Sequence, residues 1–142
     1  MKRSPMPRKR ATKRRTTSPR CAKQRCGKPA RDLGLCKTHL IHEADLLMSK
    51  RRREEHPWCQ ACGDTKTLQW AHVHSRRYHS IRWLRANSVV LCAACHTRYT
   101  HHPLEWEQWC RDQGIDWDGL RVRALHGPPM DPADVIRELR ET

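Results

Sequence analysis

Hydrophobic positions are sparse in this chain, and their spacing changes character along it. Residues 1–20 (MKRSPMPRKRATKRRTTSPR) carry no periodic apolar pattern. Between residues 38 and 55, Leu40, Ala44, Leu47 and Met48 recur at the three- and four-residue spacing of an amphipathic helix. Residues 67–74 (TLQWAHVH) alternate apolar and polar, the pattern of a strand with one buried face, and residues 87–91 (NSVVL) read as a second strand. A helix over 93–100 begins immediately after Cys92. The order strand, loop, strand, helix is a ββα unit. Downstream, Pro103 opens a helix over 103–112 with Trp106 and Trp109 on one face. Residues 117–126 read as a helix stopped by Gly127-Pro128-Pro129. A last helix spans 132–141, with Asp131 as its N-cap, Pro132 at its first position and an apolar stripe of Val135, Ile136 and Leu139. No segment repeats. The prediction is a small α+β fold.

Composition adds a constraint. A chain of 142 residues holds one domain with appendages. With 37% hydrophobic residues and no Phe the core is thin, and thin cores need staples. The cysteines supply them. Cys59-x-x-Cys62 and Cys92-x-x-Cys95 form two pairs separated by 29 residues, and Cys21, Cys26, Cys36 and His39 follow the spacing x4, x9, x2. The first set gives four thiolates and the second three thiolates and an imidazole, each a closed tetrahedral structural Zn²⁺ site. Gly27 and Gly34 stand where tight turns would gather the ligands of the N-terminal knuckle. Cys110 is left over, a small buried side chain beside Trp106 and Trp109. The N-terminus is charged from residue 2 and lacks an apolar leader, and no apolar run reaches the ~18 residues of a membrane span. The chain therefore reads as cytoplasmic, with cysteines serving metal rather than disulfides.

Charge points to the partner. The formal net charge is +14, and it is concentrated in the first 40 residues, which hold 14 Lys and Arg against the single acid Asp32. Residues 65–104 hold six cations and no acid. The last 40 residues are net acidic. A polyanion partner follows, bound with steep salt dependence. Residues 1–20 cannot bury a core and are expected to be a disordered arm making non-specific phosphate contacts.

Inside the Cys59–Cys95 clamp stand His72, Asn87 and His96, in that order. Phosphodiester hydrolysis needs a base for water, a cation for the departing oxygen and a scaffold that orients both. Neutral histidine suits the base role near neutral pH. Over residues 58–102, Ala71-His72-Val73, Asn87 and Leu91-Cys92-x-x-Cys95-His96 resemble the HNH endonuclease family, also called the ββα-metal or His-Me finger fold. The chain, including the Ser75-Arg76-Arg77 stretch, Arg82-Trp83 and the Pro103-Leu104-Glu105-Trp106 helix, looks like phage-encoded HNH proteins. The resemblance implies His72 as general base and Asn87 as the residue bracing the loop. It implies His96 as ligand of one catalytic Mg²⁺ or Mn²⁺. The family usually has Asp, Glu or His immediately before the base; here that position is Ala71. His74 and His101 are candidates for the missing ligand, with His79 a further one.

Arg76, Arg77, His79, Arg82 and Arg85 crowd the loop leaving the first strand and are expected to contact DNA, guanidinium forks gripping phosphate. Nothing resembles a base-reading module, so sequence specificity should be weak. The chain divides into an arm (1–20), a zinc knuckle with a helix (21–55), an HNH domain (56–112) and a C-terminal helical extension (113–142). The expected function is metal-dependent cleavage of double-stranded DNA in the cytoplasm of a bacterial host. The alternative is a catalytically inactive, zinc-containing DNA-binding or recombination accessory protein. The sequence names no phage or host protein partner.

Overall fold

The computed structural model describes residues 18–141, so most of the arm expected over 1–20 lies outside the described residues. The fold is α+β: α1 (Lys37–Glu55), β1 (Leu68–His72), a 3-10 turn (Arg85–Asn87), β2 (Ser88–Cys92), α2 (Ala93–His101), α3 (Pro103–Asp112), α4 (Trp117–His126) and α5 (Pro132–Glu141). The periodic segments of the sequence become these elements with boundaries shifted by one or two residues. Helix starts follow local chemistry. Asp131 accepts from the N–H of Ala133 at 2.9 Å, as its cap position predicts. Asp116, which the sequence pattern did not single out, caps α4 by accepting from Gly119 N–H at 2.9 Å, and a Cβ at Gly119 would collide with that carboxylate.

β1 and β2 form one antiparallel hairpin in which Trp70 faces Val90, Ala71 faces Val89 and His72 faces Ser88. All five residues of β2 are buried, because helices cover both sides of the hairpin. On one side lies α1, which also packs along α5. There Leu40, Ala44 and Met48 of α1 join Trp83 of the loop and Ala133 and Ile136 of α5 in one apolar cluster, with Trp70 packed against it. On the other side Ala71, Val73, Val89 and Leu91 join Cys110 of α3 and Leu120 of α4. Trp106 and Trp109 stack there with ring centroids 5.3 Å apart, and Tyr99 lies against both. Cys110 is fully buried, as its position beside the two tryptophans implied. No helix among the described residues is long and apolar enough to cross a membrane.

The N-terminal knuckle closes on short bridges, Arg20 with Pro29 and Asp32 with Leu35. Its turns correct one expectation. Gly34 is left-handed at φ +68, but the other left-handed residues are Arg25 and Leu33 at φ +59 and +47; Gly27 takes no such conformation.

Candidate functional site

Two groups of metal-ligating atoms stand out among the described residues: Cys21, Cys26, Cys36 and His39, and Cys59, Cys62, Cys92 and Cys95, each with its ligand atoms within 4.8 Å of one another. Cys26 and Cys36 Sγ are 3.9 Å apart, and Cys62 and Cys92 Sγ 3.7 Å apart. A disulfide would bring sulfurs to ~2.05 Å. Four ligands around zinc at ~2.3 Å put them at roughly 3.8 Å. His39 Nδ1 sits 3.2 Å from Cys21 Sγ and 3.4 Å from Cys36 Sγ, completing the knuckle.

The thiols are electrostatically unequal. Burial raises Cys59, but N–H groups of Cys92, Cys62 and Ala61 outweigh it and bring the thiol down to about 7. In the same way Cys21 falls to about 6: burial opposes ionisation, while main-chain donors at Lys23 and Cys36 and the His39 ring favour it. Cys95 is pushed far up by burial and by the neighbouring Cys62, Cys92 and Cys59. Four thiolates cannot share so small a space without a cation, so the donor set fits Zn²⁺. Both groups are built as closed structural sites, one stapling the knuckle to α1 and the other stapling both ends of the hairpin to α2.

His72 ends β1 on the side facing α1. Its ring lies 4.2 Å from that of Trp70, and its Nε2 is buried without a hydrogen-bond partner. Burial, opposed by Asp45 and reinforced by Arg82 and Arg76, lowers its pKa to about 4, so the ring is neutral at pH 7. Ala71 points the other way. It is 2% exposed and lies in the apolar cluster with Val73, Val89 and Leu91, not beside an open ligand position.

Asn87 is fully buried and ties the loop to the hairpin. Its Oδ1 accepts from His74 N–H at 2.8 Å, and its Nδ2 donates to the carbonyls of Ile81 at 3.1 Å and His74 at 3.2 Å. Its own carbonyl accepts from Val73 N–H at 2.9 Å. The bonds hold the backbone on either side of the hairpin's loop end, directly beyond His72.

His96 lies in the first turn of α2, its Nδ1 2.7 Å from Gln69 Oε1. Burial lowers its pKa. The amide oxygen fixes the proton on Nδ1 and leaves the Nε2 lone pair as the donor, the pattern by which a ligating histidine is oriented.

The other sequence candidates are placed differently. His74 does not share a ligand position with His96. Past the end of β1 it turns to α4, its Nε2 2.9 Å from the Trp117 carbonyl and its ring 4.3 Å from the indole. His101 is exposed at the end of α2. With His96 they form no group of ligand atoms comparable to the two thiolate clusters among the described residues. Arg82 belongs to the scaffold: its Nε and Nη2 donate to Asp45 at 3.0 and 2.6 Å, and its Nη1 to the Arg76 carbonyl at 2.9 Å. Trp83 Nε1 donates to the same Asp45 at 2.9 Å. Arg85 pairs with Glu55 and remains largely exposed. Arg76 and Arg77 are exposed, and Arg77 stacks over Tyr78. His79 is half-buried, edge-on to Trp83.

The sequence did not single out Asp45 or Gln69, and it placed Arg52 in a basic run, Lys50–Arg53, expected to face DNA or to be a solvated helix end. Arg52, 8% exposed, spans from α1 to the hairpin, donating to Ser88 O at 3.1 Å and Glu55 at 2.7 Å. No local pattern marks such residues, since each acts through a partner distant in sequence. Comparison of the chain with protein-family models, with curated proteins and with solved structures returns no match.

Proposed function

We propose that this zinc-stapled protein is a metal-dependent endonuclease of the HNH type, hydrolysing phosphodiester bonds in double-stranded DNA. The observation that carries the reading is His72: a neutral imidazole with an unpartnered Nε2, at the end of β1, beside a loop locked by the buried Asn87. A base needs a free lone pair and a fixed ring, and a histidine used only for structure would be expected to use both nitrogens. In this reading His72 takes the proton from the attacking water. Asn87 keeps the loop end of the hairpin in register. His96 offers Nε2 to one Mg²⁺ or Mn²⁺, which would stabilise charge on the departing oxygen; Gln69 orients it. With Ala71 in place of a second ligand, water and substrate phosphate would complete the shell, a common arrangement for Mg²⁺. Arg76 and Arg77 are the exposed forks for phosphate, while Arg82 holds the loop in shape.

The burial of Ala71 in the apolar cluster, together with the covered Nε2 of His72, favours a second reading: a non-catalytic zinc protein that binds DNA, for instance as a recombination accessory. Supercoiled plasmid separates the two. The nuclease reading expects nicking or linearisation that requires Mg²⁺ or Mn²⁺ and is abolished by His72→Ala, with zinc content and DNA gel shift retained. Normal cutting by the variant removes His72 as the base. A gel shift without cleavage in any metal establishes the second reading.

A further inference from the structure

A cavity of about 640 Å³ opens where the zinc knuckle, the start of α1, the loop after β1 and the start of α5 meet. Its charged and titratable lining is Arg31, Asp32, Lys37, His79 and Asp131. The two carboxylates are already engaged. Asp32 accepts from Arg137 Nη2 at 2.6 Å and from Leu33 N–H at 2.7 Å, which hold its pKa low. Asp131 caps α5 through Ala133 N–H. The two cations are not engaged. Arg31 and Lys37 are exposed, and neither side chain makes a hydrogen bond or ion pair with the described residues. Asp32 is offset by Arg137 and Asp131 is turned to the start of α5, which leaves Arg31 and Lys37 as the unpaired cations on the cavity wall, open to a phosphate.

The cavity reaches the loop that joins β1 to β2. His79 lies on its wall; burial, with Arg82 and Lys37 and against Asp45, lowers its pKa, and a neutral ring keeps one N–H to offer an anion. Arg82 and Arg76 in turn are close enough to lower the pKa of His72.

We propose that this cavity is a second phosphate-binding site for the DNA backbone, in which Arg31, Lys37 and His79 hold phosphates away from the one presented to His72. The N-terminal zinc knuckle then positions substrate as well as stapling the fold. The inference rests on the nuclease reading and names its substrate contacts.

The test measures binding of a fluorescein-labelled DNA duplex by the full chain across a range of salt concentrations, for the wild type, the double variant Arg31→Gln/Lys37→Gln and the charge-preserving Arg31→Lys/Lys37→Arg. Plasmid cleavage and zinc content are followed in parallel. Losing two phosphate contacts should flatten the slope of log K against log salt by about 1.8 and weaken binding throughout, with two zinc ions retained. The charge-preserving variant should keep the wild-type slope. An unchanged slope in the glutamine variant, with a wild type that cuts plasmid, overturns this site and leaves the nuclease reading standing. A charge-preserving variant as flat as the glutamine one overturns it too, since charge would not be the cause. A wild type that neither binds nor cuts DNA overturns both. Displacement of the duplex by a structured RNA at lower concentration than by unlabelled duplex overturns the assignment to DNA.

Discussion

The two faces of the hairpin are held by different kinds of force. Toward α2, α3 and α4 the contacts are apolar: Ala71, Val73, Val89 and Leu91 meet Cys110, Leu120 and the stacked Trp106 and Trp109. A polar bond crossing that interface is Trp106 Nε1 donating to Val73 O at 3.0 Å. Toward α1 the contacts are directional. Asp45 takes both Arg82 and Trp83, and Arg52 reaches the Ser88 carbonyl. Three buried polar atoms among the described residues, Arg52 Nε, Trp70 Nε1 and His72 Nε2, have no partner. Apolar burial is non-directional and supplies stability; hydrogen-bonded ion pairs supply less net energy but fix orientation. His72, the proposed base, lies on the directional face, and its neighbour Ala71 on the apolar one.

The largest effect should come from the point where both faces are tied off. Cys92 ends β2, supplies a thiolate to the four-sulfur cluster and, through Sγ, caps α2 at Cys95 N–H. Structural zinc contributes on the order of 10 kcal/mol of apparent binding energy, comparable to the whole stability of a small domain. Cys92→Ser should therefore drop zinc from two ions to one and abolish hydrogen-exchange protection across β1 and β2. Protection that survives in the one-zinc protein would mean that side-chain packing alone holds the hairpin.

The polar face is tested next by Asp45→Ala. The Arg82 and Asp45 side chains are only 12% and 20% exposed. Removing the carboxylate leaves a mostly buried guanidinium and an indole N–H unpaired, which should cost about 3–5 kcal/mol in urea unfolding. A loss below about 1 kcal/mol, the range of an exposed pair, would show that water replaces Asp45 freely.

Ala71→Asp probes the apolar face. A carboxylate placed in that cluster has no donor waiting for it, so the expected cost is about 3 kcal/mol, with no gain in Mn²⁺ affinity by titration. A stable variant with tighter Mn²⁺ binding would mean that position 71 opens toward His96 after all.

Much of this arrangement was legible in the chain. Cysteine spacing identified both metal groups, because short-range ligand pairs, Cys59/Cys62, Cys92/Cys95 and Cys36/His39, each stand three residues apart. The alternation from Leu68 to His72 and the 3.6-residue pattern of α1 and α5 gave the elements, because each has an apolar face to bury. Asn87 was readable as a loop brace, and it bonds to Ile81 and His74. Other features depended on contacts distant in sequence. Arg82 looks like a phosphate ligand until Asp45, 37 residues earlier, is brought against it. His74 shares the parity of His72, but the strand ends between them, and Trp117 draws His74 away. Alternation predicted that Ala71 and His72 face opposite ways. It did not say that one side would be sealed by aromatic residues from α2 and α3.

The smallest effect tests His72 on stability rather than on cleavage. Its pKa is near 4 in the fold, against 6.5 in the unfolded chain. Between those values the unfolded state binds a proton that the folded state does not, so stability rises with pH across this window and is lost as pH falls through it. Above pH 6.5 the term vanishes, and below pH 4 it has reached its full size. The slope is at most about 1.4 kcal/mol per pH unit. Thiolate protonation and zinc loss act in the same direction, so the wild type alone cannot isolate the histidine. His72→Gln removes its titration and leaves both zinc sites in place. From about pH 6.5 to 5.5 the wild type should therefore lose roughly 1 kcal/mol more than the variant, measured by urea unfolding in excess zinc. Parallel curves would mean that the His72 ring is hydrated in the folded protein. Its Nε2 would then already be open to water, as a base requires, and the directional face would be looser than its hydrogen bonds imply.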